Sequence, residues 1–266
     1  MSRNKLSVAL ATFNEENNID LCLKPIQGWA DEIVVVDGTS SDKTVERARK
    51  YGAKVIITNN KPVFHINKQM AIDECKGDWI LQLDADEVIT DDLKREISDI
   101  LASKNNFSAY WITRRNLFLG RWLKKCGQFP DPVIRLFKNG KARLPCKSVH
   151  EQMVVSGEIG TLKNSMDHHS SPSFSEYLKR SNRYTSLSAQ ELMKGKTRPS
   201  AYQFLKSIWM CNKTFLLIFF RHKGFADGFA GLVFSFFSGF HFITSYIKFW
   251  EIYHQKRKLD IKKDWN

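Results

Sequence analysis

Cysteine is scarce in this sequence and is not arranged in pairs. The 266 residues include five cysteines, an odd number, and no Cys-x-x-Cys motif. Isolated cysteines of this kind are typical of free thiols in a reducing compartment. A signal-peptide pattern is also lacking, because the apolar run at residues 6–11 is short and Glu15 and Glu16 follow it closely. We therefore expect the protein to face the cytoplasm.

Glycine-rich phosphate-binding loops are absent as well. The sequence contains neither Gly-x-Gly-x-x-Gly nor Gly-x-x-x-x-Gly-Lys-[Ser/Thr], so dinucleotide binding and P-loop chemistry lose support. A nucleotidyltransferase that activates sugar phosphates would also need a glycine-rich loop near the N-terminus. No internal repeat and no low-complexity segment is present.

Acidic residues are outnumbered, which points to an anionic partner. The chain has 41 Lys and Arg against 28 Asp and Glu, a net charge of +13. From Lys194 onward there are 13 Lys and Arg against four Asp and Glu, and 12 of the 19 Phe lie after residue 200. Basic and aromatic residues together favour a membrane surface over nucleic acid.

Strand and helix patterns alternate over the first hundred residues. Short apolar runs predict four strands. Helices are predicted at 17–25, from candidate N-caps at Ser41 and Asp42 through Tyr51, at 64–75 and at 91–101. This alternation is typical of βαβ units and a parallel sheet, so the predicted fold class is α/β. The predicted strands are Leu6–Thr12, Glu32–Asp37, 54–58 and Trp79–Leu83.

The pattern changes after residue 103. Short strands at 110–114 and 133–137 alternate with glycine- and proline-containing loops, which predicts an antiparallel extension over a substrate cleft. Residues 174–194 then read as a helix with Ser173 as a candidate cap.

The sharpest candidate site is Asp84-Ala85-Asp86-Glu87, directly after the Trp79–Leu83 strand. Alternate residues of an extended segment point the same way, so Asp84 and Asp86 are expected to converge. Two close carboxylates need a cation or strong hydrogen-bond donors to stay ionised, and a divalent metal on a diphosphate would supply the cation. A solvated acidic loop that caps the next helix is the alternative.

Two further polar clusters follow predicted strands. Asp37 ends the second strand and opens the segment Asp37-Gly38-Thr39-Ser40-Ser41-Asp42-Lys43-Thr44, where a carboxylate can accept hydrogen bonds from a nucleobase or ribose. Residues 12–16, Thr-Phe-Asn-Glu-Glu, follow the first strand. Ligands of parallel sheets bind at the carboxyl ends of strands, where all three clusters are expected.

In this order the three clusters resemble glycosyltransferase family 2, which has the GT-A fold. The resemblance covers about the first hundred residues. It implies a nucleotide-sugar donor held by Thr12, Asn14, Glu15, Asp37 and Asp84. It also implies a divalent metal, Mg or Mn, bound by Asp86, with His168 as a further ligand; a surface or hydrogen-bonded histidine is the alternative for His168.

Further along, the chain is similar to bacterial lipopolysaccharide inner-core β-1,4-glucosyltransferases. That resemblance implies an inverting transfer of glucose from UDP-glucose to a heptose of the inner core, with Glu151 as general base. Another lipid-linked acceptor, such as a polyprenyl-phosphate glycan or a capsule or O-antigen precursor, is the alternative substrate. Glu151 could instead pair with Lys147, and His150 is its rival as base. The motifs that carry the resemblance are Val149-His150-Glu151, His168, Ser170, Tyr177-Leu178, Asn182-Arg183-Tyr184, Gly224-Phe225-Ala226-Asp227-Gly228 and Gly231.

The last third of the chain is predicted to touch a membrane. We expect a GT-A catalytic domain at 1–170, with a nucleotide-binding half at 1–103 and an acceptor half at 104–170, followed by a helical region at 171–266. Residues 228–247 lack charged side chains, and their large apolar residues recur on one helical face. This pattern favours a helix lying in the interface, peripheral on the cytoplasmic face of the inner membrane, with the 256–258 basic cluster at the headgroups. A packed core or dimer helix and a true membrane span are the alternatives.

Overall fold

The computed structural model describes residues 3–61, 63–146, 152–195 and 198–255. They fall into two compact units. The first comprises the residues up to 115 together with 130–169, and the second comprises 116–129 together with the residues from 170 onward. The domain boundaries expected from the sequence stay a prediction.

A mixed sheet forms the centre of the first unit. The described strands are β1 (Leu6–Thr12), β2 (Glu32–Asp37), β3 (Lys54–Ile57), β4 (Trp79–Leu83), β5 (Glu87–Val88), β6 (Ala109–Phe118), β7 (Arg121–Trp122), β8 (Pro132–Lys138), β9 (Ala142–Arg143), β10 (Val154–Val155) and β11 (Ile159–Ser171). The parallel part of the mixed sheet has the order β3-β2-β1-β4, and β8, β6, β11 and β5 extend it beyond β4. Strand β8 pairs antiparallel with both β4 and β6, and β11 pairs antiparallel with β5. Strands β9 and β10 form a separate two-stranded sheet.

Apolar side chains cover both faces of this sheet. Leu6, Val8 and Leu10 enter one buried cluster, while Ala9 enters the other, because successive residues of a strand point to opposite faces. Helices complete the two clusters: α1 (Ile19–Leu23), α2 (Thr44–Lys50), α3 (His65–Asp73) and α4 (Asp91–Ala102). The predicted parallel sheet and its antiparallel extension are both confirmed.

The start of α2 is held by Asp42, one of the two predicted caps. Helix α2 begins at Thr44 with Lys43 at the formal cap position, and Asp42 accepts hydrogen bonds from the backbone N–H groups of Thr44 (3.0 Å) and Glu16 (3.1 Å). It therefore joins the loops that follow β1 and β2.

The second unit is mainly helical. It contains α5 (Phe174–Lys194), α6 (Ala201–Leu216), a π-helical turn (Leu217–Arg221), a short 3-10 helix (Gly224–Asp227) and α7 (Gly228–Gln255). Helix α5 has the predicted bounds, and the Ser173 hydroxyl accepts from the N–H of Glu176 as predicted for its cap. Its core joins residues 116–129 to the helices through Phe118, Leu123, Cys126 and Ala230.

Small residues on α7 allow a close approach of α6. Gly239 packs so tightly that a Cβ at this position would lie 2.5 Å from the carbonyl oxygen of Cys211. One side of α7 carries small residues, and this side packs inward, since Gly231, Ser235, Gly239 and Ser245 are buried.

The large apolar residues of α7 face outward. Among the apolar residues predicted to share one face, five are 39–75% exposed. We call the α7 stripe the row Phe229, Leu232, Phe236, Phe240, Ile247 and Trp250. By length and composition alone, one described helical stretch, Gly224–Gln255, is long and apolar enough to cross a membrane.

Candidate active site

The ends of β1 and β2 are joined through the Asp37 carboxylate. Thr12 and Asp37 are register partners, and the Thr12 hydroxyl donates to Asp37 Oδ2 at 2.8 Å. Ser40 donates twice, from its hydroxyl to Oδ2 (2.6 Å) and from its N–H to Oδ1 (2.7 Å). Asp37 is fully buried. Its carboxylate thus fixes the loop in which the sequence predicts a nucleoside site.

The loops after β1 and β2 are also held to each other. The N–H of Asn14 donates to the Ser40 hydroxyl at 2.8 Å, and Asn14 Oδ1 accepts from the Ser41 N–H at 2.9 Å. Asn14 (φ 55°) and Thr39 (φ 69°) both have left-handed backbone. This conformation is rare for a β-branched residue such as Thr39 and is often kept at functional sites. The pair of loops is therefore a tightly specified surface at the carboxyl ends of two parallel strands.

The glutamate predicted in this region also has a defined partner. Glu15 Oε2 accepts from the Asn18 side-chain amide at 2.7 Å, and the Glu15 N–H donates to the Thr44 hydroxyl at 2.8 Å. Glu15 therefore helps to tie the first loop to the start of α2.

The acidic segment after β4 is a turn. The N–H of Glu87 donates to the Asp84 carbonyl, and the N–H of Asp84 donates to Glu87 Oε2, both at 3.0 Å. The expectation that Asp84 and Asp86 alternate on an extended segment is therefore wrong. The turn directs their carboxylates to different partners.

Asp84 faces two cations of the protein itself. Its Oδ1 forms an ion pair with Lys68 of α3, and its Oδ2 accepts from Arg135 Nη2 at 2.6 Å. Burial opposes ionisation of Asp84, but Arg135 and Lys68 outweigh it and hold the pKa of this carboxyl well below its usual range. Its side chain keeps 26% exposure. Asp84 is thus an ionised acceptor at the edge of the site.

Sequence reasoning missed Lys68 and Arg135. Both are buried, and Arg135 also pairs with the fully buried Glu87, at 2.7 Å from Nη2 to Oε1. Arg114 lies 3.4 Å from the same Glu87 oxygen and 2.7 Å from Asp131. The sequence offered a signal for Arg135 alone, which interrupts the apolar run 133–137.

Asp86 and His168, the metal ligands that the family resemblance implies, lie next to each other. His168 opposes Glu87 in the β11–β5 register, and its Nε2 lies 3.4 Å from Asp86 Oδ2. The neighbouring His169 donates its backbone N–H to the Asp86 carbonyl at 2.8 Å. Both side chains of the Asp86–His168 pair are largely buried.

This pair fits a divalent metal. Two ligand atoms on adjacent corners of an octahedral ion lie about 3 Å apart when each bond is about 2.1 Å, close to the observed separation. Carboxylate and further oxygen ligands suit both Mn²⁺ and Mg²⁺, whereas an imidazole ligand favours the transition metal Mn²⁺ of the two. Within the described residues no group of three or more His, Cys, Asp or Glu side chains forms a metal site alone, so other oxygens would complete the coordination.

A cavity of about 360 Å³ opens beside Asp84 in the first unit. Both charged and apolar side chains line it. Gln152 and Met153, which directly follow the predicted base, lie in its wall. Glu151 itself and its rival His150 are outside the described residues. The cavity is lined by Phe64, His65, Lys68, Gln82, Asp84, Arg114, Val133, Ile134, Arg135, Leu144, Gln152 and Met153.

Comparisons with known proteins find chains that are similar to this one. The model of the family described as "Glycosyl transferase family 2" matches residues 7–157. An uncharacterized glycosyltransferase of Rickettsia bellii is 32% identical over 86% of this chain and 80% of its own length. The lipopolysaccharide core biosynthesis glycosyltransferase LpsC of Rhizobium meliloti is 27% identical over 87% and 89%, respectively.

Among solved structures, that of S. aureus TarS 1-349 is similar with a TM-score of 0.48 and 14% identity, covering 96% of this chain and 93% of that one. The mixed sheet flanked by helices is a GT-A-like fold. The chain belongs to glycosyltransferase family 2 and is a glycosyltransferase.

Proposed function

We propose that this enzyme transfers glucose from UDP-glucose, with inversion, to a heptose of a lipopolysaccharide or lipooligosaccharide inner core. The observation that carries the proposal is the acidic turn after β4, in which Asp86 faces His168 while ionised Asp84 borders a cavity. The similarity to a lipopolysaccharide core glycosyltransferase supports the acceptor class.

The nucleotide would bind at the joined loops after β1 and β2. Thr12, Asn14, Glu15 and Asp37 are the residues proposed to build this surface, with Asp84 as the acceptor for a ribose hydroxyl. A carboxylate suits that role because it accepts hydrogen bonds and carries no donor when ionised.

Asp86 and His168 are proposed to hold the divalent cation. When bound, the cation would neutralise the diphosphate of the donor and stabilise it as a leaving group. Two protein ligands would leave coordination positions for phosphate oxygens of the donor.

Glu151 is proposed as the general base that takes the proton of the attacking hydroxyl. Inverting displacement needs a base on the face of the sugar opposite the leaving group. Gln152 and Met153, which follow Glu151 in the sequence, line the cavity beside Asp84.

The second unit is proposed to bind the cytoplasmic face of the inner membrane. The α7 stripe spans 21 residue steps, which is about 32 Å of helix, and Lys248 is the one Asp, Glu, Lys or Arg residue between its ends. Helix α6 has a similar outer row of Tyr202, Leu205, Trp209 and Leu216, each more than half exposed. Apolar rows of this size mark interaction surfaces, and the basic excess of the region favours anionic lipid.

Two observations favour a helix that lies on the membrane over one that crosses it. The link between α6 and α7 carries exposed Arg221, His222 and Lys223, which resist passage through hydrocarbon. The Lys248 ammonium donates to Asn182, Thr185 and Ser186 of α5 at 2.6–2.8 Å. Moving α7 into a bilayer would break these bonds.

A donor and acceptor screen tests the proposed reaction. Purified protein, divalent metal and each nucleoside diphosphate sugar would be incubated with lipid extracts of the source cells. The proposal expects UDP-glucose to be consumed with a core-lipid acceptor and a β-linked product. Transfer to a polyprenyl-phosphate glycan or a capsule precursor instead would establish the alternative acceptor.

A further inference from the structure

The charged residue that organises the acidic turn lies far from it in sequence. Arg135 is on β8, which pairs with β4, and only 8% of the residue is exposed. Its Nη2 donates to Asp84 Oδ2 at 2.6 Å and to Glu87 Oε1 at 2.7 Å, while Nη1 donates to Gln82 Oε1. One guanidinium therefore touches β4, the turn and β5.

Glu87 makes this contact relevant to the shape of the turn. Its second oxygen, Oε2, accepts the backbone N–H of Asp84. Arg135 thus fixes Asp84 twice: directly through the carboxylate, and indirectly through the glutamate that holds the Asp84 backbone. Lysine has a single nitrogen and cannot reproduce the planar fork of donors that spans these groups.

The hydrogen bonds leave one position on Asp84 for a ligand. Oδ1 is engaged by Lys68 and, at 3.3 Å, by the Gln82 amide. In the described part of the chain, Oδ2 accepts only from Arg135. A carboxylate oxygen offers about two acceptor sites, so Oδ2 keeps one, and the side chain is partly exposed beside the cavity.

We propose that Arg135 is a positioning residue for the donor nucleotide, which orients Asp84 so that its remaining acceptor site on Oδ2 receives a hydroxyl of the donor. This proposal rests on the proposed function, since Asp84 is assigned to the nucleotide there. A positioning role differs from a purely structural ion pair, because Arg135 would then improve UDP binding only when Asp84 is present.

A double-mutant cycle on UDP binding tests the proposal. Isothermal titration calorimetry would measure the Kd of UDP for wild type, Arg135→Met, Asp84→Asn and the double variant. We expect Arg135→Met to weaken UDP binding about 10- to 100-fold, the range for hydrogen bonds to charged groups. In the Asp84→Asn background, the same substitution should change the Kd little. Equal effects in both backgrounds, or no effect of Asp84→Asn, would overturn the proposal.

Two further variants separate positioning from stability. Arg135→Met alone leaves Glu87 buried without its main partner and destabilises the fold. The pair Glu87→Gln with Arg135→Met restores charge balance, so its urea unfolding should return toward wild type while UDP binding stays weak. Arg135→Lys should recover part of the affinity. Full recovery of UDP binding in the charge-balanced pair would show that Arg135 only stabilises the fold.

The same titrations distinguish failure of the proposed function. If wild type binds none of UDP, GDP, CDP and dTDP, with or without Mn²⁺, the nucleotide-sugar assignment falls, and with it the role of Arg135. If wild type binds UDP and the cycle is additive, only the role of Arg135 falls.

Discussion

Replacing Phe236 and Phe240 with serine should weaken membrane binding without unfolding the protein. The two side chains are 50% and 39% exposed. With about 200 Å² per phenylalanine, they present about 180 Å² of apolar surface, worth about 4 kcal/mol if all of it left water. If half of this surface enters the bilayer, the loss is about 2 kcal/mol, or about 30-fold in the partition coefficient.

Vesicle co-sedimentation measures this effect. The protein should bind phosphatidylglycerol-containing vesicles, and salt should weaken the electrostatic part while the apolar part persists. The double serine variant should lose the salt-resistant part. It should also lose more activity on a membrane-embedded acceptor than on a soluble sugar fragment.

A matched control removes exposed apolar residues elsewhere. Ile57→Ser with Phe107→Ser changes side chains that are 50% and 38% exposed in the first unit, and should leave vesicle binding unchanged. Three results would refute the role of the α7 stripe in membrane binding. Wild type would not bind anionic vesicles, the two double variants would bind them equally well, or the Phe236/Phe240 substitutions would unfold the protein without weakening its vesicle binding.

The remaining predictions concern the site and the helix packing. Asp86→Ala should abolish transfer and metal-dependent UDP binding with an unchanged circular dichroism spectrum, and Asp86→Asn should restore little of either. Unchanged metal-dependent UDP binding would exclude Asp86 as a metal ligand. Glu151→Gln should lower kcat by about two to four orders of magnitude with nearly unchanged donor KM; an active Glu151→Gln and an inactive His150→Ala would exchange their roles. Gly239→Ala should lower the unfolding midpoint in urea, because the new Cβ would lie 2.5 Å from the Cys211 carbonyl; an unchanged midpoint would contradict the close helix contact.

Local patterns predicted the elements best where burial is uniform. Strands β1, β2 and β4 have the predicted bounds, because continuous apolar runs between polar clusters mark strands that are covered on both faces. Helix α5 also has its predicted bounds, since Ser173 caps it through a local hydrogen bond.

The site was predicted only in part, because its chemistry depends on strand pairing. Asp86 and His168 were found through the family resemblance, and the β11–β5 register brings them together. Lys68 and Arg135 reach Asp84 from α3 and β8, and no short sequence pattern links them to the acidic turn. The turn itself was misjudged, because mutual hydrogen bonds between Asp84 and Glu87 outweigh continuation of the strand.

The outward stripe of α7 shows the same limit at the level of packing. Periodicity identified its apolar face, but could not tell whether that face packs inward. The deciding factor is the opposite side, where Gly239 and Ser235 are buried against neighbouring elements, while Phe229, Phe236 and Phe240 stay exposed.

Transfer of radiolabelled glucose tests the central claim most directly. Wild type and Asp86→Ala would be incubated with labelled UDP-glucose and a heptose-terminated core lipid, with and without Mn²⁺ or Mg²⁺. The account predicts a β-linked labelled lipid only for wild type with divalent metal. Metal-independent transfer, full activity of Asp86→Ala, or no transfer of glucose by wild type would contradict it.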